Sequence, residues 1–322
     1  MRMKPWAAVA AAVPLATGCI AGLTAGPASA TTGAPASSTP AWGAPASSAL
    51  APGMSSASAS RRAKPPQVPP GTTASWLVYD RRAGKLVATR HAHRKFRSAS
   101  VIKILIAIDF LDERASLSAA DARLLRVMLR ESDDAAATAF WNRGGKGAII
   151  TRMARKLRLS DTAPPPATHP GFWGYASLSA HDIVRTYRYL LDTAQPRVRD
   201  TILGHLRKAT PCGSDGFDQT FGIPQGVPGP RAVKQGWSGF GTVPPVKCDA
   251  RASGASISTV ALRSAGTGVP DLGRPVLYTT GLVGKDERYV MALLTTHPAG
   301  STWSSSVRRI TTLAKGLYRS VT

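Results

Sequence analysis

The sequence predicts an α/β protein of the α+β kind, with an antiparallel sheet assembled from both chain ends and a mostly helical lobe between them. Three observations carry this expectation. Two β-rich runs at 76–79 and 85–89 flank the turn Asp80-Arg81-Arg82-Ala83-Gly84. From about residue 100 to 193 the apolar residues recur at helical spacing. Strand-like runs then return from residue 231, and a final amphipathic stretch covers 304–319.

Taken in order, residues 1–30 begin with Arg2 and Lys4, continue apolar to Leu23 and end on Ala28-Ser29-Ala30, the pattern of a secretory signal peptide. Pro14 and several glycines argue against a stable membrane span there. Cys19, after Leu15-Ala16-Thr17-Gly18, is a poorer match to a lipid-anchoring site, because its branched residue stands one place too early. Residues 31–70 are dominated by Ala, Ser, Pro and Gly, a composition that buries too little apolar surface to offset its ordering entropy, and they read as a flexible linker. The globular domain is expected over 71–322. No segment beyond the leader is long and apolar enough to span a bilayer.

Within the domain, the hairpin at 76–89 is followed by a helical stretch from Phe96 to Glu113, apolar from Val101 to Leu111 except at Lys103 and Asp109. A helix apolar on all sides is a buried one. Further helices are expected over 117–131, 135–141, 148–159 and 180–193, with a Pro- and Gly-rich loop over 162–177. Residues 231–237 form a strand, 275–283 and 288–295 a hairpin about Gly284-Lys285-Asp286-Glu287, and 304–319 the last helix, with Val307, Ile310, Leu313, Ala314 and Leu317 inward.

Chemistry concentrates where the buried helix begins. Ser100 and Lys103, three residues apart, share one face a turn apart. The serine sits where backbone N–H groups favour negative charge, and a lysine in apolar surroundings is a candidate proton acceptor for its hydroxyl. A capping serine and a snorkelling lysine would look the same in isolation. Two later clusters add to it: Ser132-Asp133-Asp134 between two expected helices, and Lys234-Gln235-Gly236-Trp237 on an expected strand. A serine nucleophile needs a base, a second hydroxyl to relay a proton to the leaving nitrogen, and a cation for a substrate carboxylate.

Charge and cysteines bound the rest. The net charge is +23, or +21 once Arg2 and Lys4 depart with the leader. Such a surface attracts polyanions. Export makes anionic wall polymers or a negatively charged membrane the fitting partners, and the aromatic interleaving of a nucleic-acid platform is missing. Loss of Cys19 leaves Cys212 and Cys248, an even pair that reads as a disulfide in an exported protein. No cofactor is implied and no metal site is evident: the six histidines are scattered, and His91-x-His93 has no acidic or Cys partner nearby in the chain.

In the order Ser100-x-x-Lys103, Ser132-Asp133-Asp134, Lys234-Gln235-Gly236, the chain resembles the penicillin-recognising serine hydrolases, and among them the class A β-lactamase-like family. The resemblance covers about residues 72–322 and implies a β-lactamase/transpeptidase-like fold. It implies that Ser100 is acylated, that Lys103 takes its proton, that Ser132 passes a proton to the departing nitrogen, and that Lys234 anchors the substrate carboxylate and keeps Ser132 poised. Backbone N–H groups of Ser100 and Trp237 would form the oxyanion hole, and Gly236 would leave room for substrate along the strand. Asp134, Gln235, Gly236 and Trp237 join Lys234 as the implied substrate-binding set. The substrate would be a β-lactam or a peptidoglycan-like amide, met outside the cytoplasm by a monomer.

Three departures qualify the mechanism. Asp134 stands where the family has Asn; an ionised Asp cannot donate to a substrate carbonyl, and it would favour the charged form of Lys103 and blunt it as a base. Gln235 replaces the usual Thr. Between 162 and 180, where class A enzymes carry the glutamate that activates the deacylating water, there is no Asp or Glu, and His169 is at most a substitute base. Only 32 positions separate Ser100 from Ser132, so the intervening lobe is abbreviated and the site more open. The expected activity is therefore β-lactam acylation with slow release. The alternatives are a D,D-peptidase or related amidase or esterase at the wall, and a wall-binding protein whose catalytic residues have decayed.

Overall fold

A computed structural model describes residues 63–248 and 268–322. The leader, Cys19 and most of the linker lie outside the described residues. Val68, near the linker's end, packs on the domain core.

The sheet is built from both chain ends, as expected. β1 (Thr73–Asp80) and β2 (Lys85–Arg90) form the first hairpin, while β5 (Arg231–Ser238), β6 (Val276–Val283) and β7 (Tyr289–Thr296) come from the C-terminal part. Their order is β2-β1-β7-β6-β5, antiparallel throughout. β1 and β7 run in register from Thr73 opposite Thr296 to Asp80 opposite Tyr289. At that end Arg288 grips Asp80 (Nη2 to Oδ2 2.6 Å) and lowers its carboxyl pKa to about 2. A two-stranded ribbon, β3 (Phe96–Arg97) with β4 (Ser177–Leu178), lies apart from the sheet.

Both faces of the central strands are buried, and alternate residues divide between two cores. Along β7, Val290, Ala292 and Leu294 join the core shared with the helical lobe, while Tyr289, Met291 and Leu293 join the core under the C-terminal helix. The lobe comprises α1 (Lys103–Asp112), α2 (Ala119–Arg130), α3 (Asp134–Arg143), α4 (Gly147–Leu157), α5 (Ala180–Asp192) and α6 (Pro196–Leu206). The short α7 (Ile223–Gly226) and the long α8 (Trp303–Arg319) cover the opposite face. α1 is buried along nearly its whole length. Its one interior acid, Asp109, is held bidentately by Arg152 of α4 (2.9 and 2.7 Å), which compensates an otherwise costly buried charge. α6 was not among the expected helices, although Pro196 at its first turn and the stripe Val198, Ile202, Leu206 carry the signal.

Cys212 and Cys248 form a disulfide with Cα atoms 5.6 Å apart, closing a 36-residue separation. On the chain-entropy account such a loop contributes roughly 3–4 kcal/mol.

The second core contains a titratable liability. His297 is fully enclosed; its Nε2 lies 2.9 Å from Thr295 Oγ1, and its Nδ1 has no partner. Burial, with help from Arg309, lowers its pKa from 6.5 to about 4, and burial beside Arg130 does the same to His205. Between about pH 6.5 and 4 the unfolded chain binds protons that the folded chain does not, so stability falls as pH falls through that window. Replacing His297→Gln is expected to flatten this acid limb by up to about 1.4 kcal/mol per pH unit in urea titrations. An unaltered limb in the variant would assign the effect to another group.

Candidate active site

Ser100 lies on a tight 3-10 turn, Ala99–Ile102, that runs directly into α1. Ala99 takes a left-handed backbone, φ 44°, at a cost of roughly 1–2 kcal/mol for a residue with a Cβ. That break divides the helical stretch expected from Phe96 into a short strand, a turn and a helix, and it sets Ser100 at a corner. β5 packs on the turn from behind. A Cβ on Gly236 would lie 3.1 Å from Val101 Cγ2, 3.2 Å from Tyr278 Cδ2 and 3.4 Å from Ala99 Cβ. The glycine thus lets strand and turn approach; it does not make the room for substrate that was expected of it.

Lys103 is wholly buried, and its Nζ lies 2.9 Å from Ser100 Oγ, 2.6 Å from Asp134 Oδ1 and 3.4 Å from Ser132 Oγ. It also donates to the Ser132 carbonyl, and the Trp173 ring centroid lies 4.6 Å from Nζ. The segment between α2 and α3 makes this convergence. Ser132 adopts φ 59°, Asp133 caps α3 by accepting from the Ala136 N–H at 2.7 Å, and Asp134 opens α3 facing Lys103.

Lys234 donates to Ser132 Oγ at 2.8 Å and to the Gln235 carbonyl at 3.1 Å. Complete burial, reinforced by the charge of Lys103, holds its pKa well below the ordinary lysine value, against the pull of Asp134 and Asp215. It stands behind Ser132 and not in the cavity wall. Its contacts in this structure are with the relay hydroxyl and the Gln235 carbonyl. Gln235, the next residue on β5, turns away: its Nε2 donates to the Phe221 carbonyl, and its buried Oε1 has no partner. Of the implied substrate-binding residues, Asp134 and Trp237 line the cavity, and Lys234, Gln235 and Gly236 do not.

The cavity over Ser100 has a volume of about 440 Å³. Phe172, Trp173 and Tyr175 from the 162–177 loop form one wall; Asp215, Phe217, Trp237 and Phe240 form the other. Asp215 accepts from Trp237 Nε1 at 2.9 Å and from the Phe217 N–H at 3.1 Å. The residue is exposed as a whole, but protein crowds its carboxyl, and desolvation raises its pKa with the nearby Asp134 adding to the effect. Asp215 and the phenylalanines were not anticipated, because no local motif marks residues gathered from three separate loops. His169 does not line the cavity; its Nδ1 contacts Thr168 Oγ1 at 3.0 Å and its ring meets Tyr175 edge-on. Asp182 is the first-turn acid of α5. His93 has no acidic partner nearby in the chain, but the fold brings it one remote in sequence: Asp161 Oδ2 lies 2.9 Å from its Nδ1.

No protein-family model matches the chain. Proteins named "Putative lipoprotein LppW" from Mycobacterium tuberculosis and Mycobacterium bovis are 35% identical over 237 residues, covering 71% of this chain and 65% of theirs. The chain therefore spans slightly less than two thirds of those relatives. Among solved structures, PBP-A superposes with a TM-score of 0.54 at 17% identity over 78% of this chain and 90% of its own. The class A β-lactamase from Mycobacterium abscessus gives 0.53 at 15%, and the β-lactamase from Streptomyces albus G gives 0.53 at 18%, each over 77% of this chain and 94% of its own. The fold is that of the β-lactamase/transpeptidase group, an α+β arrangement with a five-stranded antiparallel sheet.

The closeness of β5 to the serine turn yields a direct test. Gly236→Ala is expected to cost about 1–3 kcal/mol, because Val101, Ala99 and Tyr278 are all buried and must yield to the added methyl. Denaturant unfolding measures it; wild-type stability in the variant would mean that strand and turn have slack.

Proposed function

We propose that this chain is an extracytoplasmic serine acyl-transfer enzyme that opens β-lactam-type amides through an acyl-enzyme on Ser100 and releases the acyl group slowly. One observation carries the proposal: the hydrogen-bonded series Ser100–Lys103–Ser132–Lys234, of which Ser100 lines the cavity and the others stand behind it. In acylation Ser100 Oγ bonds to the carbonyl carbon, and its proton passes to a neutral Lys103 Nζ. As the C–N bond breaks, Ser132 Oγ gives its proton to the leaving nitrogen and is reprotonated from Lys103. Lys234, donating to Ser132 Oγ, keeps that hydroxyl aimed. Backbone N–H groups of Ser100 and Trp237 are the proposed oxyanion donors.

The slow release follows from the loop. It offers Phe172, Trp173 and Tyr175 to the cavity and no carboxylate, so no loop acid activates a deacylating water. The fold relation to PBP-A, of which a variant was captured as an acyl-enzyme with penicillin G, supports trapping as the observable outcome. The disulfide and the lipoprotein name of the relatives support a location outside the cytoplasm.

A second reading rests on the Lys103–Asp134 ion pair at 2.6 Å, which must loosen before Lys103 can take a proton. If the pair never loosens, the protein is a binding module with a disabled nucleophile. Intact-mass analysis after incubation with penicillin separates the two. The expected result is a persistent adduct of one penicillin that Ser100→Ala abolishes; no adduct on the wild type would overturn the enzymatic reading.

Asp134→Asn, which removes the competing charge, is expected to speed adduct formation about tenfold, or roughly 1.4 kcal/mol of barrier. A slower variant would instead show that the carboxylate assists Lys103.

A further inference from the structure

A cluster remote from Ser100 in its chemistry gathers His93, Asp161 and His181. One potential ligand atom from each lies within 4.8 Å of the other two. The two imidazole rings face each other with centroids 4.2 Å apart and planes inclined by 31°. His93 comes from the segment after β2, Asp161 from the segment after α4, and His181 from the first turn of α5. These three points of the chain have no reason in sequence to meet. His93 is exposed, His181 half-buried and Asp161 buried.

The groups behind these side chains are as specific as the side chains themselves. His181 Nδ1 lies 3.0 Å from Asp182 Oδ1, so an Nδ1–H donated to that carboxylate leaves the Nε2 lone pair free. Asp182 is itself fixed by the Asp161 N–H at 2.8 Å, the Thr162 hydroxyl at 2.8 Å and the Ser160 N–H at 3.2 Å. Ser179 Oγ donates to Asp161 Oδ2 at 2.7 Å and sets the carboxylate's plane. A carboxylate behind a ligating histidine and a hydroxyl behind a ligating acid are the outer-shell supports found at zinc sites.

We infer that His93, Asp161 and His181 bind a divalent transition-metal ion of the zinc class, with water completing four-coordination. Two imidazoles and one carboxylate suit a borderline cation, and tetrahedral zinc sets its ligand atoms roughly 3.3 Å apart given Zn–N bonds of about 2.0–2.1 Å. The His93 Nδ1 to Asp161 Oδ2 separation of 2.9 Å needs only a small widening. His93, on an exposed segment, can rotate to provide it. The ion replaces the proton shared by that pair, and the proton leaves to solvent.

The site ties down both ends of the aromatic loop. Asp161 immediately precedes residues 162–177, and His181 follows them by four positions. Asp161's carbonyl also accepts from Ser177 Oγ at 2.9 Å, and Ala163 and Ser177 form an isolated bridge across the loop's neck. A bound ion therefore cross-links the base of the loop that carries Phe172, Trp173 and Tyr175 to the end of the first hairpin. This does not depend on Ser100 being reactive.

Equilibrium dialysis of the tag-free chain against Zn²⁺, with metal measured by elemental analysis, tests it. The expected result is one tightly held Zn²⁺ and a raised melting temperature. His93→Ala and His181→Ala should each weaken binding by more than the roughly 10–100-fold that loss of an outer-shell partner causes, and His91→Ala should leave it intact. Co²⁺ bound in place of Zn²⁺ should show the intense visible absorption of four-coordinate cobalt. Circular dichroism of His93→Ala, altered at an exposed position, separates loss of the site from loss of the fold. Failure to retain Zn²⁺, or equal retention by the wild type and both ligand variants, would overturn the assignment.

Discussion

The arrangement depends on keeping the Lys103 amine inside the protein. An ammonium taken out of water needs partners on every side, and here Ser100, the Ser132 carbonyl and Asp134 supply them, with the Trp173 ring over the remaining face. Each partner imposes a local demand. Ser100 is reached only from a turn that drives Ala99 into left-handed backbone, and Ser132 only from a residue that is itself left-handed. Both conformations cost free energy, and both persist because the packing around them leaves no alternative. Lys234 adds a second buried amine within reach of the same hydroxyl; its burial first, and the charge of Lys103 second, make it hold its proton weakly.

That demand propagates into the sheet. β5 has to approach the serine turn closely enough that a side chain at position 236 would crowd Val101, Tyr278 and Ala99, and β5 is positioned by full-length pairing with β6. β6 and β7 bury both faces, so they cannot shift register without exchanging their two cores. The geometry at Ser132 and Lys103 is therefore supported by strands that are rigid for reasons unrelated to chemistry. The outer rim is supported differently. The disulfide, Asp215 and the rings of Phe217, Phe221, Trp237 and Trp303 secure segments that lack regular structure.

The fold was legible where periodicity is strong. The hairpin at Trp76–Arg90, the buried helix after Ser100, the helices around Leu125 and Tyr187 and the last strands and helix all appear within a few residues of their expected bounds. What escaped has a common physical cause. α6 is short and bears only a narrow stripe, and the corner at Ala99 costs energy that local propensity does not foresee. At the site, Ser100, Lys103, Ser132, Asp134 and Lys234 do converge, because spacing on helices and strands is a local property. The orientations of Gln235 and Gly236 could not be read from the sequence, because which side of β5 faces the cavity is set by the neighbouring strand and turn. The partnership of His93 with Asp161 spans 68 positions and is invisible to any window along the chain.

Charge illustrates the same division between global and local. The chain carries a formal +23, and a field of that size draws the molecule toward polyanions. Exposed charges farther apart than about 8–10 Å are screened at physiological ionic strength, so that field says little about a cavity of molecular size. Among the described residues, the charged side chains in the cavity wall are Asp134 and Asp215, while both lysines of the site stand behind it with their Nζ atoms on Ser100 and Ser132. A basic exterior and an acidic, aromatic cleft are thus properties of one molecule at two length scales. Composition speaks only to the first.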